Sequence, residues 1–343
     1  MKKYDFSLSQ QKAIQSLLKP LPSFAAKYFD LILNTYFSLT TYPAKKKDFK
    51  MMGTTLKELA QAVAVFAPYR RYKKVCLFGS ARTAEKDPDY QLAQVLAKEL
   101  TEKDFMVITG AGPGIMEAGN KGAKPESSFG LNIILPFEQE ANPYIQNSDK
   151  LLSFKYFFTR KINFIRESHA TVILPGGFGT LDEAFEVLTL VQTGRCSPRP
   201  IVLLSDQKNN YWDAFIKNLK QQLADKAYIA AEDIDLLKIS YSVEETVRYI
   251  QEFYSVYHSV RYKSGYALMK LTKPLSSSVL KTLNQEFHYL LQEGQIKTLS
   301  QTDPLAKKYP SKKPRIKFKF NRSNYGGLCR LINRMTMLSL KEG

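Results

Sequence analysis

Histidine is scarce in this chain: His169, His258 and His288 are the only three, and no two stand at metal-ligand spacing. No ligand set at the spacing of a zinc or iron centre is present, so no metal and no other cofactor is expected. Cysteine is as rare. Cys76, Cys196 and Cys329 are odd in number, far apart and without C-x-x-C spacing, and the first residues lack the apolar core of a signal peptide. Both absences fit a protein of the reducing cytoplasm. A run of about 18 apolar residues, the least that spans a bilayer, is missing too, and a soluble chain with no membrane partner is expected.

What remains is ample for folding. The 343 residues are 44% hydrophobic, enough for one large α/β domain with additions. Acidic residues are few overall, and the net charge of +18 is unevenly placed. Residues 1–70 carry 11 basic and 4 acidic side chains, residues 71–255 carry 22 and 24, and residues 256–343 carry 17 and 4. The near-neutral middle and its two basic flanks suggest three parts: a helical extension over 1–70, a catalytic domain over 71–255 and a basic α+β domain over 256–343.

The middle part holds the chemistry. Thr171-Val172-Ile173-Leu174 is a β-branched apolar run of the kind that forms an interior parallel strand. It runs into Pro175-Gly176-Gly177-Phe178-Gly179-Thr180, after which Leu181, Ala184, Phe185, Leu188 and Val191 recur at helical spacing up to a stop at Gly194. Glycines let the backbone approach a ligand, and the free N–H groups of the new helix face the same spot, so a phosphate is expected there. A plainer reading stands beside it: Thr180 and Glu183, three apart at a helix start, form a capping box that needs no ligand.

Two further strand ends have the same character. Phe105-Met106-Val107-Ile108 leads into Thr109-Gly110-Ala111-Gly112-Pro113-Gly114 and a helix over 115–123, while Lys74 to Phe78 leads into Gly79-Ser80-Ala81-Arg82. In a parallel sheet these ends converge on one crevice. The spacing G-x-G-x-G differs from the dinucleotide fingerprint, and no acidic residue about 20 positions on completes one. Glu117 and Asn120 follow the second turn. A carboxylate near a helix start is commonly a dipole partner, and Glu117 is kept as a secondary candidate. Asn132, in an apparent strand over 129–135, faces either a nucleotide or a neighbouring backbone.

The motif Pro175 to Glu183, preceded by Arg160-Lys161 and by Gly110 to Ala123, resembles the LOG family of nucleoside 5′-monophosphate phosphoribohydrolases, many once called lysine decarboxylases. Together with Gly130 to Ile133 and Pro136-Phe137-Glu138-Gln139, it is more similar to the longer bacterial members than to the compact plant enzymes. The resemblance covers roughly residues 73–254. It implies that Arg160 and Glu183 are the catalytic pair, that Gly176, Gly177, Gly179 and Thr180 hold the 5′-phosphate, and that the protein is a homodimer or a higher even oligomer. Gly79, Ser80, Arg82, Gly110, Gly112, Gly114 and Glu117 complete the candidate substrate-binding set.

Elementary chemistry agrees with that assignment. Cleaving an N-glycosidic bond passes through an oxocarbenium-like sugar, which a carboxylate such as Glu183 stabilises while orienting or deprotonating water. The planar fork of Arg160 suits a substrate or a departing base. Without the resemblance, the favoured reading of Arg160 is a solvated arginine on an amphipathic helix.

The flanks are read more coarsely. Helices are expected at 9–18, 22–39 and 56–66, with Lys45-Lys46-Lys47 in a connection and Tyr28, Leu31, Ile32 and Leu39 on a packing face. The C-terminal part reads as β-α-β-β-α: strands 266–271, 295–299 and 315–320, helices 278–291 and 327–335. Lys307, Lys308, Lys312, Lys313, Arg315, Lys317 and Lys319 with Phe318, Phe320 and Tyr325 read either as a nucleic-acid, nucleotide or acidic-partner site or as a solvated loop and a one-sided strand.

The expectation is an α/β protein: a Rossmann-like parallel sheet flanked by helices, with an N-terminal helical extension and a small C-terminal α+β domain. It would hydrolyse a purine nucleoside 5′-monophosphate such as AMP or a cytokinin riboside monophosphate to free base and ribose 5-phosphate. The rival is a non-catalytic nucleotide sensor or nucleic-acid-binding protein using the same crevice, which would not need Arg160 and Glu183 together. For lysine decarboxylation no recognisable pyridoxal phosphate site is present.

Overall fold

A computed structural model describes residues 4–136 and 140–342. Phe137, Glu138 and Gln139 of the resemblance lie outside the described residues. The chain divides into two compact units, 1–59 and 60–343.

The first unit holds α1 (Leu8–Leu18), α2 (Ser23–Ser38) and the first part of α3 (Lys46–Phe66). Ser7 and Gln10 close a capping box at the start of α1, and Phe6 packs edge-on against Phe37. The expected helix at 56–66 is the second half of α3, which takes in Lys46 and Lys47. Tyr28, Leu31 and Ile32 are exposed.

In the second unit, β1 (Lys74–Phe78), α4 (Pro88–Glu102), β2 (Met106–Thr109), α5 (Ile115–Ser127), β3 (Ser128–Ile133), β4 (Leu151–Phe154) and α6 (Phe157–Glu167) build one half of a sheet. β5 (Ala170–Ile173), α7 (Phe178–Gln192), β6 (Ile201–Leu204), α8 (Tyr211–Leu219), β7 (Leu237–Ser240) and α9 (Val243–Val256) build the other. All pairings are parallel, in the order β4-β3-β2-β1-β5-β6-β7. This is a Rossmann-like α/β fold. Strand order reverses between β1 and β5, and the crevice for a ligand in such a sheet opens at the carboxyl ends of the strands flanking that point.

The pleat sorts the side chains. Cys76 and Phe78 of β1 enter one core with Phe129, Phe164, Val187 and Trp212, while Val75 and Leu77 enter the other with Leu96, Val107, Val172 and Ile250. Both faces are covered, which explains why these strands read as unbroken apolar runs. Helix α5 is regular to Ala123, where expected, and then kinks at Lys124, with φ 60°, ahead of Pro125.

A second sheet follows: β8 (Tyr257–Lys263), β9 (Tyr266–Leu271), α10 (Ser277–Glu286), β10 (Leu291–Thr298), α11 (Pro304–Lys308), β11 (Arg315–Phe320) and α12 (Tyr325–Lys341), with antiparallel strand order β10-β11-β9-β8. The expected β-α-β-β-α order is corrected at three places. Strand β8 was not foreseen, because its Arg261 and Lys263 obscure the apolar alternation. The helix expected at 278–291 ends at Glu286, since Leu291 belongs to β10, and α11 interrupts the last two strands. The β8–β9 hairpin turns at Ser264-Gly265, both with positive φ (49° and 81°), as a two-residue type I′ turn requires. Phe318, Phe320 and Tyr325 are buried in the core of this sheet.

Candidate active site

The three glycine turns meet. The amide of Ser80, after β1, donates to the Pro175 carbonyl after β5 at 3.1 Å, and the amide of Ile115 donates to the Ser80 carbonyl at 3.1 Å. They border a cleft of about 870 Å³, within the range of pockets that hold a small-molecule ligand. Gly79, Ser80 and Arg82 line it from β1, Gly110 and Gly112 from β2, and Gly176, Gly177, Gly179 and Thr180 from β5. Arg160 and Glu183 line the same cleft, as does Asn132.

Two expected residues stand back from it. Gly114 caps α5 with φ 67°, where a Cβ would lie 2.4 Å from the Ser80 carbonyl oxygen, so it serves the closure of the turn. Glu117 points elsewhere, accepting from the Tyr90 hydroxyl at 3.2 Å.

The capping-box reading of Thr180 and Glu183 does not hold. Helix α7 begins at Phe178 with Gly177 as its N-cap, three residues earlier than that reading needs, and no side chain caps it. Its first N–H groups have no intrahelical partner. Around them Gly177 and Gly179 leave open space where a Cβ would stand, which suits close approach of an anion. Gly176 is constrained differently: a Cβ there would meet Thr180 Oγ1 at 2.2 Å, and its carbonyl accepts from the Tyr211 hydroxyl at 2.7 Å.

Arg160, on α6, is fixed by backbone. Its Nε donates to the Leu131 carbonyl at 2.7 Å and its Nη2 to the Gly110 carbonyl at 3.3 Å, and the guanidinium lies 5.1 Å from the centre of the Phe164 ring. Burial lowers its pKa while Glu183 opposes the shift; a guanidinium so placed remains a cation.

Glu183, one turn into α7, is buried, and its Oε2 has no hydrogen-bond partner. Lys161 Nζ approaches that oxygen only to 3.6 Å, because it is committed to Glu186 at 2.6 Å and Asp182 at 2.9 Å. Burial therefore dominates: against the pull of Lys161 and Arg160, it lifts the Glu183 pKa to about 7. For Lys161, burial is outweighed by Glu186 and Asp182, and its pKa is raised. A buried carboxyl titrating near neutrality beside a fixed cation is a configuration suited to acid–base work.

Three supporting residues had no role assigned from the sequence. Lys161 was visible as the neighbour of Arg160, but its three acidic partners lie on another helix. Tyr211 has no local signal. Asn142, followed by Pro143, announced only a turn; its Nδ2 donates to the carbonyls of Ala111 and Gly112 and to Asn120 Oδ1, which also accepts from Thr109 Oγ1. Asn120 is thus a brace for the second glycine turn.

Among the described residues no three histidine, cysteine or acidic side chains are grouped to hold a metal ion, and no helix is long and apolar enough to cross a membrane.

Residues 113–250 match the family model described as "Possible lysine decarboxylase". A cytokinin riboside 5′-monophosphate phosphoribohydrolase of Arabidopsis thaliana is 25% identical over 185 residues, covering 53% of this chain and 83% of the relative. One from Oryza sativa subsp. japonica is 24% identical over 192 residues, covering 54% and 76%. Among solved structures, the molybdenum cofactor carrier protein of Chlamydomonas reinhardtii aligns with a TM-score of 0.36 at 20% identity, over 53% of this chain and 97% of its own. The molybdenum cofactor binding protein of Rippkaea orientalis aligns with 0.37 at 19%, over 52% and 96%. In the sequence matches and the motif that carries them, residues 113–250 are similar to the LOG family.

Proposed function

We propose that the protein hydrolyses the N-glycosidic bond of a purine nucleoside 5′-monophosphate, AMP or a cytokinin riboside monophosphate, releasing free base and ribose 5-phosphate. The observation carrying this reading is that Arg160 and Glu183 line one cleft with the glycine turn and Thr180 at the start of α7. The phosphate would sit on the first-turn amides of α7, which sets the ribose beside Glu183. Water then adds to C1′ while the bond from C1′ to the base nitrogen breaks. Glu183 offsets the positive charge developing on the sugar and takes a proton from the water; the electron pair leaves on the base nitrogen, which takes up a proton from solvent, and Glu183 then returns its own to solvent. Arg160 stabilises the charge on the departing base or holds the substrate through its fork of donors.

The relatives named phosphoribohydrolases support a hydrolase. Incubation with a panel of nucleoside 5′-monophosphates, followed by chromatography of free base and ribose 5-phosphate, tests the reading. Base release from a purine monophosphate is expected, and no release from any member of the panel would overturn it.

A homodimer is part of the proposal. Phe157, Phe158 and Ile162 of α6 and Phe178 and Phe185 of α7 are exposed beside the cleft, Phe178 to 93%, and side chains of this kind mark association surfaces. Light scattering should give at least twice the 39.2 kDa chain mass; a monomer at assay concentration would remove this element.

A further inference from the structure

The basic excess of residues 256–343 has a location. Pairing in the second sheet sets Arg261 opposite Leu268 and Lys270 opposite Arg315, and Leu268 also stands opposite Lys317. With Lys263, two residues beyond Arg261, these side chains share the face turned away from the core formed by Met269, Ile316 and Phe318. Leu268 on this outer face packs with Leu299 and Ala306, so the segment carrying α11 folds over it. The result is a pocket of about 240 Å³ whose walls include Arg261, Lys263, Lys270, Lys308, Tyr309 and Arg315.

Among the described residues the cations there have no ion-pair partner, and Asp303, which feels Arg315, is itself paired with Lys317. Residues 256–343 contain four carboxylates. Glu286 pairs with Arg334, Glu293 with Lys319, Asp303 with Lys317, and Glu342 accepts from Ser278. Among the described residues no carboxylate lies within 4.0 Å of Arg261, Lys263, Lys270, Lys308 or Arg315. Arg315 is buried to nine-tenths, and its Nη1 is latched to the Tyr309 carbonyl, which fixes the guanidinium at the pocket wall. Nearby His258 registers the field: burial first, then Lys313, Lys270 and Lys73, lower its pKa. Five clustered cations from three strands and α11 repel one another, and an anion between them relieves that repulsion.

We propose that this pocket is a binding site for a small molecule bearing adjacent phosphoryl groups, held by Arg261, Lys263, Lys270, Lys308 and Arg315. The volume suits a diphosphate better than a whole nucleotide, since ligand pockets for larger molecules run from about 300 Å³ upward. Single-stranded nucleic acid is disfavoured because it needs exposed aromatic platforms, and Phe318, Phe320 and Tyr325 are buried. Arginine beside lysine gives a planar fork for one phosphoryl group and mobile point charges for the other.

Isothermal titration of the full chain with pyrophosphate at low salt tests the site, with inorganic phosphate and a short single-stranded oligonucleotide in parallel. One saturable pyrophosphate site is expected, at least tenfold tighter than phosphate. The exposed pair Lys263→Gln/Lys308→Gln should weaken it about tenfold or more, the scale of losing charge-assisted contacts, with an unchanged circular dichroism spectrum. Binding in the cleft at α7 would survive that double substitution. Undiminished binding in the double variant, no saturable binding by the parent chain, or an oligonucleotide bound more tightly than pyrophosphate would each overturn the proposal. If the double variant misfolds, Lys270→Gln alone replaces it, with the same expected direction and the same overturning result.

Discussion

The guanidinium of Arg160 occupies the space that a side chain at Gly110 would need. A Cβ at 110 would stand 2.3 Å from Arg160 Nη2, and the Gly110 carbonyl accepts from that same nitrogen at 3.3 Å. Gly110 was read as part of a phosphate cradle, but its nearest duty is to admit and anchor an arginine from α6. Gly110→Ala should therefore displace the guanidinium and lower kcat/KM by about tenfold or more, with the chain still folded. Arg160→Lys should also restore little activity to the site, since lysine cannot donate to both carbonyls in one plane. Full activity in either variant, measured by base release, would contradict this arrangement.

Glu183 and Lys161 set the pH response. If the carboxylate is the working form, activity should fall as pH drops through about 7, where Glu183 takes up its proton. Lys161 pulls that pKa down, so Lys161→Met should move the acid limb of the kcat profile to higher pH. An acid limb that stays in place would show that Lys161 only joins α6 to α7.

The same carboxyl should cost stability. Its pKa is near 4.5 when unfolded and about 7 in the fold, so the folded state holds its proton longer. Stability is unaffected below the lower value, falls as pH rises between the two, and stays reduced above the higher by roughly 3 kcal/mol at most. Glu183→Gln should thus raise Tm at about pH 8 and much less at about pH 5, while lowering turnover about 10²-fold. A Tm difference independent of pH would refute the burial argument.

The phosphate site can be tested with the substrate. Binding energy taken from the phosphate and used at the ribose predicts that adenosine is cleaved with lower kcat as well as higher KM than AMP. Equal cleavage of the two would remove the assignment of Gly176, Gly177, Gly179 and Thr180.

Helix α12 links the second sheet to the first. Its Cys329 enters the core that contains Val187 and Ile201, Asn333 Nδ2 donates to the Tyr249 hydroxyl at 3.2 Å, and Tyr325 abuts Gly194 just beyond α7. Removing residues 256–343 should lower Tm by several degrees or more, though every proposed reacting group precedes the cut. A truncated chain that melts with the parent would show that α12 contributes nothing to the first sheet.

Much of this was present in the sequence. The apolar runs at 74–78, 105–108 and 171–174 named interior strands because a parallel sheet buried on both faces demands them, and the glycines after each run marked the carboxyl ends where ligands bind. Local spacing also bounded α5 at Ala123 and placed the stop of α7 near Gly194, since both depend on backbone conformation within a few residues. Long-range placement was different. No local pattern joins Arg160 to Gly110 and Leu131, sets Lys161 among the carboxylates of α7, or turns Glu117 toward Tyr90. The basic flank shows the same limit: its charge was countable in the sequence, but strand pairing decided that Arg261, Lys263, Lys270 and Arg315 share one face, and folding of the α11 segment made that face a pocket. Residue type and spacing fix which backbone conformations are open to each segment. Whether a charge ends buried, paired or facing a cleft depends on which distant segment packs against it.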